Sequence, residues 1–209
     1  MPFSDFKNIE DVSKKYKTSL GKGRFTKSIS EKPLPDWFME DLEYSLTQKK
    51  PRSSEIAISE NFISPLLRFV ARQHLHLVYW SREYDFNIDA DLCGTPDYVF
   101  SYTKKPEIID FNMPLVCVAE AKVEKFAEAW GQVLAELVAC QKLFPEMTLY
   151  GFATNGEIWQ FGKLENTLFT QDIDSYSISN DAPKITGILD WVFTQAVLQA
   201  EKYLAKNKN

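Results

Sequence analysis

The chain has 209 residues, of which 44% are hydrophobic and 25% are charged, and its formal net charge is −5. These proportions are typical of one soluble globular domain. No apolar stretch is long enough to cross a membrane, and the N-terminus lacks the charged and then apolar pattern of a signal peptide. Three cysteines without metal-type spacing, Cys93, Cys117 and Cys140, fit a reducing compartment, so we expect a cytoplasmic protein.

The first 32 residues are the most basic part of the chain, with eight Lys or Arg against four acids. A Gly21-Lys22-Gly23 break interrupts this segment. We therefore expect a basic N-terminal arm over residues 1–32, which is either a solvated tail or a segment that contacts DNA. A single domain is expected over residues 33–209. The negative total charge does not indicate nucleic-acid binding, but a local basic patch would offset it.

Two helices are predicted before the first strand. The first begins at about Asp36, which has the side chain of a good N-cap. The second begins near Ser53 or Ser59 and continues to about His74 with an amphipathic pattern. Pro65 falls inside it, so either the helix starts late, with Pro65 in its first turn, or the helix kinks there.

The remaining pattern alternates strands and helices. It predicts two extended pieces within residues 76–91, strands over 97–102 and 114–122, a helix over 124–144, a hairpin over 147–164 that turns at Asn155-Gly156, and a helix over 183–205. This order predicts an α/β (α+β) fold, with a central mixed β-sheet flanked by helices. The strand before the 124–144 helix and the strand after it would form a crossover unit.

Asp97, Glu120 and Lys122 are the most informative residues. Glu120 and Lys122 lie two apart near the end of an apolar strand, so they point to the same side. Charges there are costly to desolvate unless they are paired or bound to a metal. With Asp97 from a neighbouring strand, they would form a site for a hard divalent cation and a phosphate. Alternatively, Asp97 only begins a strand, and Glu120 and Lys122 form a surface ion pair.

Pro96-Asp97 and Glu120-Ala121-Lys122 resemble the two halves of the PD-(D/E)XK nuclease motif. The surrounding segments are similar to a bacterial group of restriction-endonuclease-like proteins, akin to the N-terminal nuclease domain of type I restriction motor subunits. The resemblance covers roughly residues 55–165 and follows the order of acidic helix, Asp strand, Glu-x-Lys strand, helix with a glutamine, and hairpin. It implies a restriction-endonuclease-like core and metal-dependent hydrolysis of DNA.

The resemblance also implies roles for individual residues. Asp97, Glu120 and the carbonyl of Ala121 would hold Mg²⁺ or Mn²⁺ together with waters. Lys122 would position the attacking water and stabilise charge in the transition state. The main functional prediction is therefore phosphodiester hydrolysis, with nucleic acid, expected to be DNA, as the partner. The alternative is a non-catalytic or partner-dependent interaction subunit of a restriction or defence system, and a homodimer is a further option.

Glu60, and with less support Glu55, is a candidate for an additional metal or water ligand. Both follow a serine and therefore also fit helix-capping chemistry. Gln132 lies on the helix after the Glu-x-Lys strand, where a glutamine of related nucleases orients groups near the phosphate. Its alternative is an exposed helical glutamine. His74 and His76 have no third ligand nearby and are predicted to be structural.

Overall fold

The computed structural model describes residues 2–81, 85–104, 115–121 and 125–207, and of residues 80, 81 and 115–121 it describes the backbone alone. The helices are Ile9–Tyr16 (α1), Asp36–Thr47 (α2), Glu55–Ile58 (α3), Ser64–Ala71 (α4), Phe126–Leu143 (α5) and Ile178–Lys206 (α6). The strands are Ser19–Gly23 (β1), Leu77–Ser81 (β2), Phe86–Asp89 (β3), Leu92–Gly94 (β4), Tyr98–Tyr102 (β5), Leu115–Ala121 (β6), Leu149–Thr154 (β7), Ile158–Glu165 (β8) and Leu168–Ser177 (β9). None of the described helices is long and apolar enough to span a bilayer.

Seven strands form one mixed sheet in the order β1-β9-β8-β7-β6-β5-β2, and β3 pairs with β4 in a separate hairpin. Strand β6 runs antiparallel to β5 and parallel to β7, and α5 connects β6 to β7. Strands β7, β8 and β9 follow as antiparallel neighbours. The predicted α/β (α+β) fold with a central mixed sheet flanked by helices is therefore confirmed.

Helix α5 covers one face of the sheet. Trp130 of α5 packs on Phe169 of β9 with 5.6 Å between ring centroids, and its indole N–H donates to Gln160 Oε1 at 2.7 Å. Gly162 of β8 lies so close that an added Cβ would stand 2.9 Å from the Trp130 ring. This face is therefore filled by large apolar side chains, whose burial stabilises the fold.

Helices α4 and α6 lie on the opposite face. Phe193 of α6 packs on Phe100 of β5 at 4.5 Å between ring centroids, and Trp191 meets the edge of Tyr150 at 5.7 Å. Phe100 also contacts Phe152 of β7. Side chains alternate along a strand. Phe100 and Phe152 therefore point to this face, and their sequence neighbours in β5 and β7 point to α5.

The N-terminal residues are part of this fold, which corrects the expected peripheral arm. Phe3 and Phe6 are only 3% and 1% exposed, and β1 is an edge strand paired in parallel with β9. An added Cβ on Gly131 of α5 would stand 2.8 Å from the backbone of Phe6 and Asn8. The lysines lie on the outer surface of a segment whose phenylalanines enter the core, so the count of basic residues alone was misleading.

The helical run from residue 55 to residue 71 combines both options for Pro65. Ser54 caps it, because its side chain accepts a hydrogen bond from the backbone N–H of Ala57 at 3.1 Å. Residues Ser59–Ile63 then form a π-helical segment, and α4 resumes with Pro65 in its first turn. Proline cannot donate to the carbonyl four residues back, and a wide turn before it avoids that contact.

Two other boundaries differ from the sequence-based expectation. Asp36 is the first residue of α2 rather than its N-cap, a position held by Pro35 without a side-chain bond. Helix α6 begins at Ile178, five residues before the predicted start, and is kinked at Asp181, which departs from helical geometry and accepts a hydrogen bond from the Ser177 N–H at 2.9 Å. The predicted hairpin is confirmed, with Asn155 Oδ1 accepting from two backbone N–H groups in the turn.

Candidate functional site

The predicted metal site falls at the edge of the sheet where β5 begins and β6 and β7 end. Tyr98 pairs with Ala119 in antiparallel register, so the preceding residue, Asp97, comes opposite position 120. On the other side of β6, position 120 pairs with Ala153 and Ala121 pairs with Thr154. The backbone thus brings positions 97 and 120 together on neighbouring strands, as the motif requires.

Asp97 itself is 9% exposed. The turn before it is held from two sides. Gly94 has φ +146°, and an added Cβ would stand 3.0 Å from the ring of Phe3. Thr95 Oγ1 donates to Asp85 Oδ1 at 2.6 Å. The turn thus holds a nearly buried carboxylate at the start of β5.

The side chain of Glu120 and the whole of Lys122 lie outside the described residues. Their convergence with Asp97 therefore stays a prediction.

A cluster of hydroxyl groups lies directly behind Asp97. Tyr98 is fully buried, and its hydroxyl hydrogen-bonds with Ser59 Oγ and, at 3.5 Å, with Ser64 Oγ. Tyr79 stacks on Tyr98 at 6.0 Å between centroids with 15° between planes. Burial raises the pKa of Tyr98, and the bonds to the two serines oppose that shift. The cluster attaches the helical run to the start of β5.

Gln132 is not an exposed residue of its helix. It is half-buried on α5, and its Oε1 is buried without a hydrogen-bond partner among the residues that the structure describes. Buried amide oxygens almost always have a partner. The exposed-glutamine alternative is therefore wrong.

Glu60 is not brought to Asp97 by any described contact. It lies in the π-helical segment with its side chain exposed, while the preceding Ser59 is the residue that reaches β5. Glu55 lies in the first turn after the cap residue Ser54, where a carboxylate favours the helix dipole. The role of Glu60 as a ligand stays a prediction.

A small cavity of about 150 Å³ opens beside this edge, between the helical run and the β7–β8 turn. It is lined by Leu46, Arg52, Ile58, Phe62, Asn155, Gly156 and Glu157. An added Cβ on Gly156 would stand 2.4 Å from Ile58 Cγ2, so the two elements pack closely. Sequence reasoning missed Arg52, although it belongs to the basic stretch Lys49-Lys50-Pro51-Arg52.

The oxygen donors of Asp97 and Gln132 are of the type that fits magnesium or manganese. Within the described part of the chain, no three His, Cys, Asp or Glu side chains cluster as a metal site. The Asp97 carboxylate and the Gln132 amide oxygen, which has no hydrogen-bond partner among the described residues, are hard donors, the type that Mg²⁺ prefers. Both histidines have other partners, since His74 Nε2 lies 3.1 Å from Asp190 Oδ1 and His76 Nδ1 lies 3.0 Å from the Thr103 carbonyl.

Comparison of the chain with protein-family models, with curated proteins and with solved structures gave no match. Function is therefore inferred from the residues at this edge and from the motif that they resemble.

Proposed function

We propose that this chain is a metal-dependent nuclease that hydrolyses phosphodiester bonds of DNA on a restriction-endonuclease-like core. The observation that supports it most directly is the register that sets Asp97 opposite position 120. Directly opposite residues of an antiparallel pair share a face, with about 5 Å between their Cβ atoms. Two carboxylates at that spacing would bind one divalent cation.

Each residue would have a defined part in the reaction. Asp97 and Glu120 would be the carboxylate ligands of Mg²⁺ or Mn²⁺, and the Ala121 carbonyl a third oxygen donor. The cation would supply positive charge to the phosphate under attack. Lys122 would hold the attacking water and stabilise the charge that develops on the phosphate oxygens.

The face on which the site would lie also supports a role for Gln132. Gly162 lies against α5 and pairs with Gly151, so by alternation Ala153 also faces α5. Position 120 pairs with Ala153 and would share this face. The buried Oε1 of Gln132 on α5 would then accept a hydrogen bond from the attacking water or from Lys122.

The test is cleavage of labelled plasmid, linear duplex, single-stranded DNA and RNA with Mg²⁺ or Mn²⁺. The variant is Lys122→Ala, and the matched control is Lys125→Ala, which removes an exposed lysine three residues away that pairs only with Glu128 among the described ion pairs. Metal-dependent cleavage by the wild type and the control, but not by Lys122→Ala, is expected.

Two other results have distinct meanings. Metal binding without cleavage of any substrate would favour the partner-dependent subunit of a restriction or defence system. If the wild type neither binds metal nor cleaves any substrate, the nuclease proposal is overturned.

A further inference from the structure

Two cavities flank the first half of the helical run, and residues of the turn that follows α2 line both of them. The smaller is the cavity beside the β7–β8 turn. The larger has a volume of about 550 Å³, within the usual range of ligand pockets, and is lined by Tyr44, Gln48, Lys50, Pro51, Ser53, Ser54, Ile56, Ala57, Glu60 and Asn61. We call the two cavities together the α2–α3 groove.

Positive charge is concentrated on this turn between the two cavities. Lys49, Lys50 and Arg52 are all exposed, and the buried Pro51 anchors the turn between them. The Arg52 guanidinium carbon lies 5.9 Å from the centroid of the Phe62 ring, which holds this charge at the mouth of the smaller cavity. Two acids, Glu60 and Glu157, line the groove as well and equal in number its two lining cations, Lys50 and Arg52, while Lys49 adds an exposed cation beside them.

Large apolar side chains are exposed in the larger cavity. Tyr44 is 64% exposed and Ile56 is 62% exposed, and both line it. An exposed aromatic ring beside lysine and arginine is the arrangement that binds unpaired nucleobases, by stacking on the ring while the cations contact phosphates. A paired base in a duplex does not present its face to such a ring.

The amide and hydroxyl groups of the groove are already engaged in local bonds. Asn61 Nδ2 donates to the Ala57 carbonyl at 2.7 Å, and Ser53 Oγ donates to the Lys50 carbonyl at 2.7 Å. Ser54 Oγ accepts from the Ala57 N–H as the helix cap. Few groups are left to read base edges, so binding here would depend weakly on sequence.

The groove adjoins the candidate active edge. Arg52 lines the smaller cavity together with Asn155 and Gly156, which directly follow Thr154. Thr154 pairs with Ala121 at the end of β6. Positions 97 and 120 would face α5, whereas the groove lies on the side of the helical run, so a DNA strand held in the groove would pass around this end of the sheet to reach them.

We propose that the α2–α3 groove binds single-stranded DNA, with Tyr44 stacking on a base and Lys50 and Arg52 contacting phosphates. The inference rests on the proposed function in that the bound strand is part of the nuclease substrate. It adds that the substrate contains an unpaired segment and that sequence is read weakly.

Binding is measured by fluorescence anisotropy of a short labelled oligothymidine, with EDTA present so that the metal site plays no part. Tyr44→Ala is expected to weaken binding about tenfold, whereas Tyr44→Phe keeps the ring and the affinity. The plot of log affinity against log salt has a negative slope. The double variant Lys50→Gln/Arg52→Gln is expected to make this slope shallower by about 1.4, or about 0.7 for each lost phosphate contact. Lys202→Ala, which removes an exposed lysine of α6, is the control that should change neither.

Thermal unfolding of each variant shows whether the fold is retained. Unchanged binding by Tyr44→Ala and by the double variant would overturn the inference, as would tighter binding of duplex DNA or of RNA of the same sequence. Because EDTA removes the metal, Lys122→Ala should bind like the wild type. If the protein cleaves DNA but the groove variants have no effect, the proposed binding site is rejected and the proposed nuclease activity stands. If the groove binds the oligonucleotide but no substrate is cleaved, the nuclease activity is rejected and the binding site stands.

Discussion

The hydroxyl of Tyr98 is hydrogen-bonded to Ser59 Oγ, which joins the start of β5 to the π-helical segment inside the protein. Tyr98 directly follows Asp97, so this bond also fixes the candidate carboxylate relative to the helical run. Ser59, the first residue of the π-helical segment, contacts the strand, whereas Glu60 is exposed. Such segments occur often at functional sites.

Removal of this hydroxyl tests the contact. Tyr98→Phe should lower the free energy of unfolding by about 1 kcal/mol, because it leaves the Ser59 hydroxyl buried with one bond fewer. Urea unfolding measures the change, and Tyr44→Phe, which alters an exposed tyrosine, should leave it near zero. Adding Ser59→Ala to Tyr98→Phe should cost little more; full additivity of the two changes would show that the bond contributes nothing.

The candidate ligand Asp97 is tested by a substitution of nearly the same shape. Asp97→Asn should reduce cleavage by about a hundredfold or more and weaken Mn²⁺ binding, since a carboxylate ligand is lost. Calorimetric titration with Mn²⁺ and the cleavage assay measure the two effects, and Asp41→Asn on the exposed side of α2 is the control. Equal Mn²⁺ binding by wild type and Asp97→Asn would remove Asp97 from the site.

Gln132 offers a separation of stability from activity. Gln132→Met removes a buried acceptor that has no partner among the described residues, so stability should be unchanged or higher by up to about 1 kcal/mol. Cleavage should nevertheless fall. Gln141→Met is a matched control, because Gln141 lies on the same helix and its Nε2 is also buried without a described partner, yet it is far along α5. Lower stability with unchanged cleavage would make Gln132 a packing residue.

The tight approach of the β7–β8 turn to the helical run is tested at Gly156. Its φ of +85° is unfavourable for other residues, and an added Cβ would stand 2.4 Å from Ile58 Cγ2. Gly156→Ala should therefore lower the free energy of unfolding by about 2 kcal/mol. Gly21→Ala, whose added Cβ would meet its nearest neighbour at 3.4 Å, should cost less. Ile58→Leu, which has no methyl branch at Cβ, should recover part of the loss in the Gly156→Ala background; no recovery would assign the whole cost to the backbone.

His74 predicts a pH dependence of stability. Burial lowers the pKa of His74, and Asp190 only partly opposes this, with Lys32 acting in the same direction as burial. The folded protein therefore binds fewer protons than the unfolded chain as the pH falls below about 6.5, and stability should decrease until the folded pKa is passed. Urea unfolding at several pH values measures the slope. His74→Gln should flatten it relative to wild type and to the His76→Gln control, and an unchanged slope would exclude His74 as its source.

The local patterns that predicted structure correctly are those that need no distant partner. The apolar stripe of α5 and the Asn155-Gly156 turn are determined by nearby residues. The strand positions of Asp97 and Glu120 followed from their apolar flanks, and the sheet places them on neighbouring strands. Their side-chain convergence is still a prediction from the motif.

The segments that were not predicted correctly from the sequence depend on distant contacts or on a change of helical phase. Strand β1 contains two glycines and only five residues, and it exists because β9 pairs with it. A helical wheel cannot show that Ser59 rather than Glu60 faces β5, since the π-helical segment shifts the 3.6-residue period. Arg52 belongs to a basic stretch before the second helix. The composition of that stretch did not show that it lies near the candidate site.

The parallel pairing of β1 with β9 has a consequence for the order of folding. Residues 19–23 find their strand partner only in residues 168–172, so the N-terminal segment has no place in the sheet until most of the chain has been synthesised. The segment after β1 becomes ordered later still, because Ser30 packs against Gly187 of α6. The contact is so close that a Cβ added to Gly187 would stand 2.0 Å from the Ser30 carbonyl oxygen. Residues 19–30 would thus become ordered only after β9 and α6 have been synthesised, and they would need protection from aggregation until then.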